Sequence, residues 1–556
     1  MTTFLDILQK HYTESPERIS VYLQFAREED QAISYRQLLE GANAYAQIYA
    51  EKGIKSSEVI VLILQHGEDL LYAFWGAVLH GAIPSIMPFL TEKLSPERYR
   101  ADLKALISVT KPAAIVTYPK FEGDIRSALQ KGDSVRELIL SDQLSPASPP
   151  NFSLLGGFQH SPEDIVLLQH SSGTTGLQKG VALSHRAVLN QLDAYGESIR
   201  LDAGNDVVVS WLPLYHDMGL IASFLLPILK GIPLVLMSPF DWVRAPYKLM
   251  QSVSKYHGTL TWLPNFAYIF CARKIRDRHL EGVDLNSWRA IINCSEPVRW
   301  ESHQAFFEKF KEYGLKLETL QTSYAMAENT FGVTQSDLSY PPVVDEIDAK
   351  VFSEERVARP SAGEGSMKML SSGKPLGNTR VRVLDPDGNE LSDRVIGEIA
   401  LKSDSMLSEY YNRPKTTEKA FLGEWYLTGD YGYFVDGELF VSGRKKEMII
   451  VGGKNIYPQD IETLVYEVEG IHAGRAVAFG VYDERTGTED VVVVAESTLT
   501  GQDEIYQLAD SVRKHITANS AIALRYVKIV PPKWILKTSS GKAARGACKE
   551  KYLGEM

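Results

Sequence analysis

The chain has 556 residues, of which 44% are hydrophobic and 23% charged, a composition typical of a globular protein with more than one domain. Its formal net charge of −11 argues against nucleic acid or an anionic membrane surface as the main partner, because both would repel it. The three cysteines are too few and too scattered for a disulfide framework or a zinc site, which favours a reducing cytoplasm.

No segment of the sequence predicts export or membrane insertion. The first ten residues lack the basic, apolar and small-residue series of a signal peptide. The longest nearly apolar run, 218–229, contains a glycine and a proline and is too short for a spanning helix. We therefore expect this run to belong to the core of a cytoplasmic protein.

The first half of the chain alternates short aliphatic runs with helical patterns. A continuous apolar run over 59–64 precedes apolar residues at helical spacing over 69–80, and a second apolar run over 82–87 follows. Similar short runs recur at 112–117, 165–168, 206–212 and 233–237. This alternation predicts parallel sheets covered by helices on both faces.

The pattern changes after Glu328. Residues 332–373 hold few periodic apolar positions and predict an excursion from the core. Short strands joined by turns follow from Arg380 onward and predict a β-rich subdomain. Beyond Gly443, strand patterns surround a helix whose apolar face runs over 505–516.

These patterns together predict the fold class and its division into domains. We expect an α/β protein whose large N-terminal domain, 1–442, contains two α/β sheets and the β-rich subdomain. A small C-terminal α+β domain is expected over 443–556.

A glycine-rich loop lies between the apolar runs that end near residue 168 and begin at residue 181. Ser171 to Gly180 reads Ser-Ser-Gly-Thr-Thr-Gly-Leu-Gln-Lys-Gly, which combines inward-turning backbone N–H groups, hydroxyls and one cation. Such a loop predicts phosphate binding. It is not a Walker A loop, because Gln178 stands where the second glycine of that pattern would be. The candidate phosphate-binding residues are Ser171, Ser172, Gly173, Thr174, Thr175, Gly176 and Lys179.

Five motifs resemble, in the same order, the adenylate-forming superfamily of acyl ligases, which includes acyl-CoA synthetases, amino-acid adenylation domains and luciferase. The motifs lie at 171–180, 324–328, 426–430, 443–444 and 537–542. Two further stretches, 211–221 and 457–462, are similar to the fatty acyl-AMP ligases of that superfamily. The resemblance implies that ATP activates a fatty acid to an acyl-adenylate with release of pyrophosphate. The acyl group would then pass to the phosphopantetheine of an acyl carrier protein.

The resemblance also implies a role for each motif residue, with ATP and Mg²⁺ as cofactors. The loop would wrap the β- and γ-phosphates, and Thr175 and Glu328 would hold Mg²⁺. On the adenine side the implied residues are Tyr324, Ala325, Met326, Ser295, Glu296 and Pro297. Asp430 would accept hydrogen bonds from the ribose, assisted by Arg444.

Two residues are implied at the reacting groups. Lys542 would bridge the carboxylate and the phosphate during adenylation, and His216 would lie beside the acyl carboxylate. Asp217, the next residue, leaves an amino-acid-activating enzyme open as an alternative, and an acyl-CoA ligase is a second alternative. A binding protein with an inactive site and a kinase-like P-loop enzyme are less favoured, since Lys542, Glu328 and Asp430 occur together and the Walker pattern is missing.

The acceptor depends on the excursion at 332–373, which resembles the insertion that distinguishes fatty acyl-AMP ligases from CoA ligases. We expect it to oppose rotation of the C-terminal domain, which the resemblance implies is mobile, and to favour a carrier protein over CoA, although a disordered surface loop is the alternative. The chain ends at Met556, so the carrier is expected to be a separate protein. The basic cluster over 525–551 would offer its acidic surface a docking face.

Overall fold

The structure is a computed structural model that describes residues 2–26, 28–89, 96–171, 179–451, 454–472, 474–483, 488–520, 524–538 and 541–555. The helices are α1 (Phe4–Glu14), α2 (Tyr35–Glu51), α3 (Glu68–His80), α4 (Pro96–Thr110), α5 (Glu122–Ala128), α6 (His185–Ser198), α7 (Leu226–Lys230), α8 (Pro239–Arg244), α9 (Tyr247–Tyr256), α10 (Asn265–Lys274), α11 (Trp300–Phe310), α12 (Ala349–Glu355), α13 (Pro414–Lys419), α14 (Pro458–Glu467), α15 (Gln502–Asn519) and α16 (Arg545–Gly554).

The strands of the first half are β1 (Ile19–Gln24), β2 (Gln31–Ser34), β3 (Val59–Ile63), β4 (Ile83–Ile86), β5 (Ala114–Thr117), β6 (Glu137–Leu140), β7 (Ile165–Ser171), β8 (Lys179–Ser184), β9 (Val208–Ser210), β10 (Leu234–Met237), β11 (Leu260–Leu263) and β12 (Ala290–Asn293). The later strands are β13 (Leu320–Ala325), β14 (Gly332–Gln335), β15 (Val344–Asp348), β16 (Ser366–Leu370), β17 (Lys374–Pro375), β18 (Thr379–Leu384), β19 (Gly397–Ser403), β20 (Glu409–Tyr410), β21 (Phe421–Leu422), β22 (Trp425–Val435), β23 (Glu438–Arg444), β24 (Ile449–Val451), β25 (Lys454–Ile456), β26 (Ala476–Asp483), β27 (Thr488–Glu496) and β28 (Tyr526–Val530).

Two large sheets form the body of the molecule. Within the described residues, one sheet has the order β20-β8-β7-β4-β3-β5-β6 and the other β17-β14-β13-β12-β11-β9-β10-β1-β2. The inner strands are parallel, as the sequence predicts, but strands at both edges of the larger sheet and at the β20 edge of the smaller one are antiparallel, whereas the edge strand β6 is parallel. The β7–β8 pair shows the reason: the connection between these strands is too short for the crossover that a parallel pair needs.

The nearly apolar run over 218–229 belongs to the core. A π-helix, Met218–Leu225, and α7 contain all of it, and their residues are buried apart from Lys230 at the end of α7. In the described part of the chain, no helix combines the length and the apolar character of a membrane span.

The predicted β-rich subdomain is an antiparallel sheet of β18, β19, β21, β22 and β23. It follows an ordered insertion in which β15 and β16 pair antiparallel, with α12 between them.

The sequence prediction that residues 332–373 leave the core is wrong for the first residues of this range. Residues 332–335 form β14, a fully buried strand of the larger sheet, whose Thr334 hydroxyl donates to the Ser372 carbonyl at 2.5 Å. The polar residues of this strand hid its burial in the sequence.

The C-terminal region folds around a sheet of β26, β27 and β28, which α14, α15 and α16 accompany. This region has two hydrophobic clusters of its own, one of which includes Ile449, Val493 and Val512. The predicted boundary near Gly443 falls inside β23, and it stays a prediction. We call residues 445–556 the C-terminal unit below.

Close helix packing shapes the body beneath the smaller sheet. Helices α2 and α3 contact each other along their length, and Gly76 lies where the two backbones meet. A Cβ at this position would be 2.5 Å from Tyr45 Cβ and 2.6 Å from the Ala42 carbonyl oxygen. The close approach therefore requires glycine, since a backbone atom cannot move aside as a flexible side chain can.

We predict that Gly76→Ala destabilises the body by about 1–3 kcal/mol through overpacking. The measurement is the urea midpoint of the transition in which the N-terminal body unfolds. The matched control is Gly123→Ala in α5, where an added Cβ meets nothing within 4 Å, so helix propensity should leave stability unchanged or slightly raised. A Gly76→Ala midpoint equal to that of the unmodified protein would contradict the packing argument.

Candidate active site

The ends of β7 and β8 bracket the predicted phosphate loop. Ser171 is the last residue of β7, and Lys179 is the first of β8. The candidates Ser172, Gly173, Thr174, Thr175 and Gly176 lie outside the described residues. The Nζ atom of Lys179 lies 4.4 Å from the ring centroid of Tyr410, and burial lowers the pKa of this lysine.

Glu328 is held by a tyrosine from a distant strand. The Tyr410 hydroxyl, on β20, donates to Oε1 of Glu328 at 2.8 Å and lies 2.8 Å from the Tyr426 hydroxyl. Glu328 is only 9% exposed, and this burial raises its pKa, although the bond from Tyr410 opposes the rise. Tyr410 was missed from the sequence, because nothing in its neighbourhood marks it as a partner of a residue 82 positions away.

Glu328 fits a magnesium site in which the protein supplies few of the ligands. Among the described residues there is no group of three or more side chains that could hold a metal ion by themselves. A single buried carboxylate suits Mg²⁺, which commonly takes one or two protein ligands and fills its other positions with water and substrate phosphates.

A second buried carboxylate lies where β22 and β23 pair. Asp430 is opposite Arg444 in the register, with 3.4 Å between its Oδ1 and the arginine Nε. The Tyr324 hydroxyl, at the end of β13, donates to Oδ2 of Asp430 at 2.6 Å. Burial raises the pKa of Asp430, while Arg444 and the bond from Tyr324 oppose that rise. Ala325 and Met326 follow Tyr324 directly in the chain, and their predicted place at the adenine stays a prediction.

Lys542 reaches the loop that follows β12. Its ammonium group donates to the backbone carbonyl of Ser295, a residue with the uncommon φ of +68°. Glu296, next in the loop, accepts a hydrogen bond from a backbone N–H of α10 at 3.0 Å, and Pro297 follows it. Burial lowers the pKa of Lys542, whereas the negative charges of Glu296 and Asp217 raise it. The loop and the lysine are 247 residues apart in sequence.

His216 and Asp217 stand beyond the carboxyl end of β9, close to Lys542. The His216 Nδ1 atom lies 2.6 Å from Oδ1 of Asp217, and that oxygen also accepts the Met218 backbone N–H at 2.8 Å. Burial raises the pKa of Asp217, but its interactions with the His216 ring, the Lys542 ammonium group and the Met218 backbone N–H outweigh burial and hold the pKa below its ordinary value. Asp217 is thus engaged by its neighbours rather than open to a substrate ammonium group.

Electrostatic contacts join these groups into one site. Arg444 acts on both Glu328 and Lys542, and Lys542 acts on both Asp217 and Asp430. The structure therefore brings together the predicted site residues Lys179, His216, Glu296, Glu328, Asp430, Arg444 and Lys542, with Tyr324 and Ser295 in hydrogen-bond contact with them. The arrangement combines cations for phosphate with buried carboxylates for hydroxyls and a metal ion.

An apolar cavity of about 310 Å³ opens beside the His216 segment. It lies at the carboxyl ends of strands from both large sheets, where α/β proteins bind ligands. Leu64 and Ile86 line it from the smaller sheet, and Leu212 and Leu236 from the larger one, with Tyr215 next to His216. A cavity lined mainly by apolar side chains suits an apolar ligand group.

Comparison with known proteins agrees with this geometry. The family model for AMP-binding enzymes matches residues 8–411. The chain is 31% identical over 94% of its length to the long-chain-fatty-acid–AMP ligase FadD26 of Mycobacterium bovis, of which 92% is covered. It is 29% identical over 99% of its length to the medium-chain-fatty-acid–[acyl-carrier-protein] ligase JamA of Moorena producens, of which 95% is covered.

A solved structure extends the agreement to the whole fold. It comes from structural and functional studies of fatty acyl-adenylate ligases from E. coli and L. pneumophila, and it matches with a TM-score of 0.91 at 27% identity. The match covers 100% of this chain and 98% of the other. The chain belongs to the AMP-binding enzyme family and groups within it with the fatty acyl-AMP ligases.

Proposed function

We propose that the protein activates a fatty acid with ATP to give acyl-AMP and pyrophosphate, and then transfers the acyl group to a separate acyl carrier protein. The observation that carries the proposal is the contact of Lys542 with the Ser295 carbonyl, in the same site as Glu328, Asp430 and His216. Burying the charge of a lysine from the end of the chain costs free energy, and a role in the reaction would account for that cost. The lysine supplies positive charge where charge develops in the reaction.

The nucleotide would be held from both ends. Asp430 would accept hydrogen bonds from the ribose hydroxyls, and Tyr324, fixed by its bond to Asp430, would lie against adenine together with the Ser295–Glu296–Pro297 loop. At the other end, Lys179 and the loop before it would bind the β- and γ-phosphates. Glu328 and Thr175 would hold Mg²⁺, which would neutralise the charge of the phosphate oxygens.

In the chemical step, the fatty acid carboxylate attacks the α-phosphorus and pyrophosphate leaves. Two anions must approach each other, so the barrier falls when cations lie between them. Lys542 is well placed to do so, because it is within electrostatic reach of both Asp217 and Asp430. His216 stands at the same end of the site as the apolar cavity, where an acyl carboxylate would enter.

The ordered insertion supports a carrier protein as acceptor. The Phe352 ring, on α12, lies 5.9 Å from the Tyr457 ring of the C-terminal unit, and both belong to one buried cluster with Met369, Tyr433 and Phe440. An insertion packed in this way opposes the rotation that would open the site to free CoA. We therefore rank an acyl-CoA ligase second.

The basic cluster over 525–551 contributes less to carrier docking than its sequence suggests. Lys542 points into the site, and Arg545 pairs with Glu462 at 2.9 Å. Lys528 lies 2.7 Å from Glu555, so its charge is also partly neutralised. Any docking face on this unit must therefore depend on fewer cations than the sequence offers.

We predict that Lys542→Ala lowers kcat for acyl-AMP formation by about 10²- to 10³-fold while ATP affinity changes little, since the lysine acts mainly on the transition state. The assay is pyrophosphate release with ATP, Mg²⁺ and a fatty acid mixture, with products identified by mass spectrometry. Lys549→Ala, in α16 of the same unit, is the matched control and should keep full activity. Normal adenylation by Lys542→Ala would refute the role.

The raised pKa of Glu328 predicts how activity depends on pH. The carboxylate must be ionised to hold Mg²⁺, so kcat/KM should fall as the pH drops through this pKa. This fall forms the acid limb of the plot of kcat/KM against pH. Tyr410→Phe removes the hydrogen bond that favours the ionised form, so the pKa should rise further and the acid limb should move to higher pH. Glu328→Gln should lose that limb and require more Mg²⁺. An acid limb that stays in place in Tyr410→Phe would contradict the assignment.

Removing the insertion tests whether it is what directs the acyl group to a carrier protein instead of free CoA. The Ser371 backbone N–H donates to the Val343 carbonyl at 2.8 Å, so a two-residue turn can replace residues 344–370 without disturbing β14. We expect this variant to keep adenylation and to gain acyl transfer to free CoA, whereas the full-length protein transfers to a holo carrier protein. Phe352→Ala should show the same change more weakly. Efficient acyl-CoA formation by the intact enzyme would make it a CoA ligase instead.

A further inference from the structure

An ion pair joins the C-terminal unit to the body of the protein beside the active site. Arg299, between β12 and α11, contacts Asp460 in the first turn of α14, with 2.5 Å between Nη2 and Oδ1. The two side chains are 19% and 34% exposed, so water screens this pair less than the fully exposed pairs of the surface.

The loop that carries Arg299 is also the loop that receives Lys542. Ser295, whose carbonyl accepts from the Lys542 ammonium group, precedes Arg299 by four positions. The body holds this loop in place, because Asn265 Oδ1 accepts the backbone N–H of Arg299 at 3.2 Å and Glu296 accepts a second backbone N–H from α10. The C-terminal unit therefore contacts one fixed loop at two points.

Within the C-terminal unit, Asp460 is linked to Lys542 by a short connection. Arg545, three residues after Lys542, pairs with Glu462 Oε1 at 2.9 Å. Glu462 lies on α14, two residues after Asp460, and it also accepts the Ala478 backbone N–H at 2.8 Å. A displacement of α14 would thus be passed on to the segment that carries the lysine.

We propose that Arg299 is a positioning residue for adenylation: by binding Asp460, it seats the C-terminal unit so that the Lys542 ammonium group reaches the active site. Arg299 acts through Lys542 and contacts no reacting atom in this role. The inference rests on the proposed function for its activity assay, whereas a second readout depends on the fold alone. In the proposed function, acyl transfer uses a different seating of the unit and so does not require the pair.

The activity test splits the two half-reactions. Arg299→Gln and Asp460→Asn should each lower kcat for acyl-AMP formation by about 10- to 100-fold, because a displaced catalytic group loses its alignment. The KM for ATP should stay within about twofold, and transfer from supplied acyl-AMP to a holo carrier protein should be kept. The charge-exchanged double variant Arg299→Asp/Asp460→Arg should recover most of the lost rate, which a merely structural defect would not do.

The second readout is proteolysis in the segment that joins the two parts. Lys445 and Lys446 are exposed, so an endoproteinase that cleaves only after lysine can report how firmly the unit is seated. Cleavage there should be faster in Arg299→Gln and should slow again in the charge-exchanged variant. The matched control is Arg136→Gln, which breaks an ion pair with Glu58 inside the body and should change neither rate nor cleavage.

The outcomes separate the two proposals. A wild-type protein that makes no acyl-AMP would refute the proposed function, and the proteolysis would still test the ion pair. Unchanged adenylation in Arg299→Gln, or unchanged cleavage at Lys445 and Lys446, would overturn the positioning role. A charge-exchanged variant that is as heat-stable as the wild type but as slow as Arg299→Gln would also overturn it.

Discussion

Several ionisable side chains are buried together in the candidate active site, and the rest of the structure must supply the contacts that keep them charged. Burial raises the pKa of Glu328 and Asp430 and lowers the pKa of Lys542, so each group by itself would tend to lose its charge. The protein opposes this tendency with hydroxyl donors from Tyr410 and Tyr324 and with the guanidinium of Arg444. Buried charges are stabilised by groups of opposite charge. The site would therefore favour binding of a nucleotide, whose phosphates are negative, together with a divalent cation.

No single domain could build such a site. The body supplies the carboxyl ends of β7, β9, β12 and β13, where parallel strands direct their following loops toward a common edge, and the start of the antiparallel strand β8. The β-rich subdomain adds Asp430 and Arg444 through the pairing of β22 with β23, and the C-terminal unit adds Lys542. Because the last contribution comes from a unit with hydrophobic clusters of its own, the position of Lys542 depends on how that unit is seated, and the Ser295 to Arg299 loop is where it is seated.

The same seating has an opposite consequence for the second half-reaction. Contacts that hold Lys542 in the site must be given up if the unit is to rotate and admit an acceptor. The α12 insertion adds apolar contact near Tyr457 and so raises the cost of that rotation. In the proposed function, the enzyme would favour adenylation until a large acceptor, with binding energy of its own, shifts the balance.

The sequence by itself determined the alternation of strands and helices, the glycine loop, and the motif residues from Ser171 to Lys542, because these depend on local spacing and on residue type. Only the tertiary structure decided that residues 332–335 form a buried strand, since their polar side chains are satisfied by hydrogen bonds from distant parts of the chain. It also decided the partnership of Tyr410 with Glu328 and of Arg299 with Asp460. These pairs join residues 82 and 161 positions apart, and such contacts arise from how whole elements pack, which local spacing does not encode.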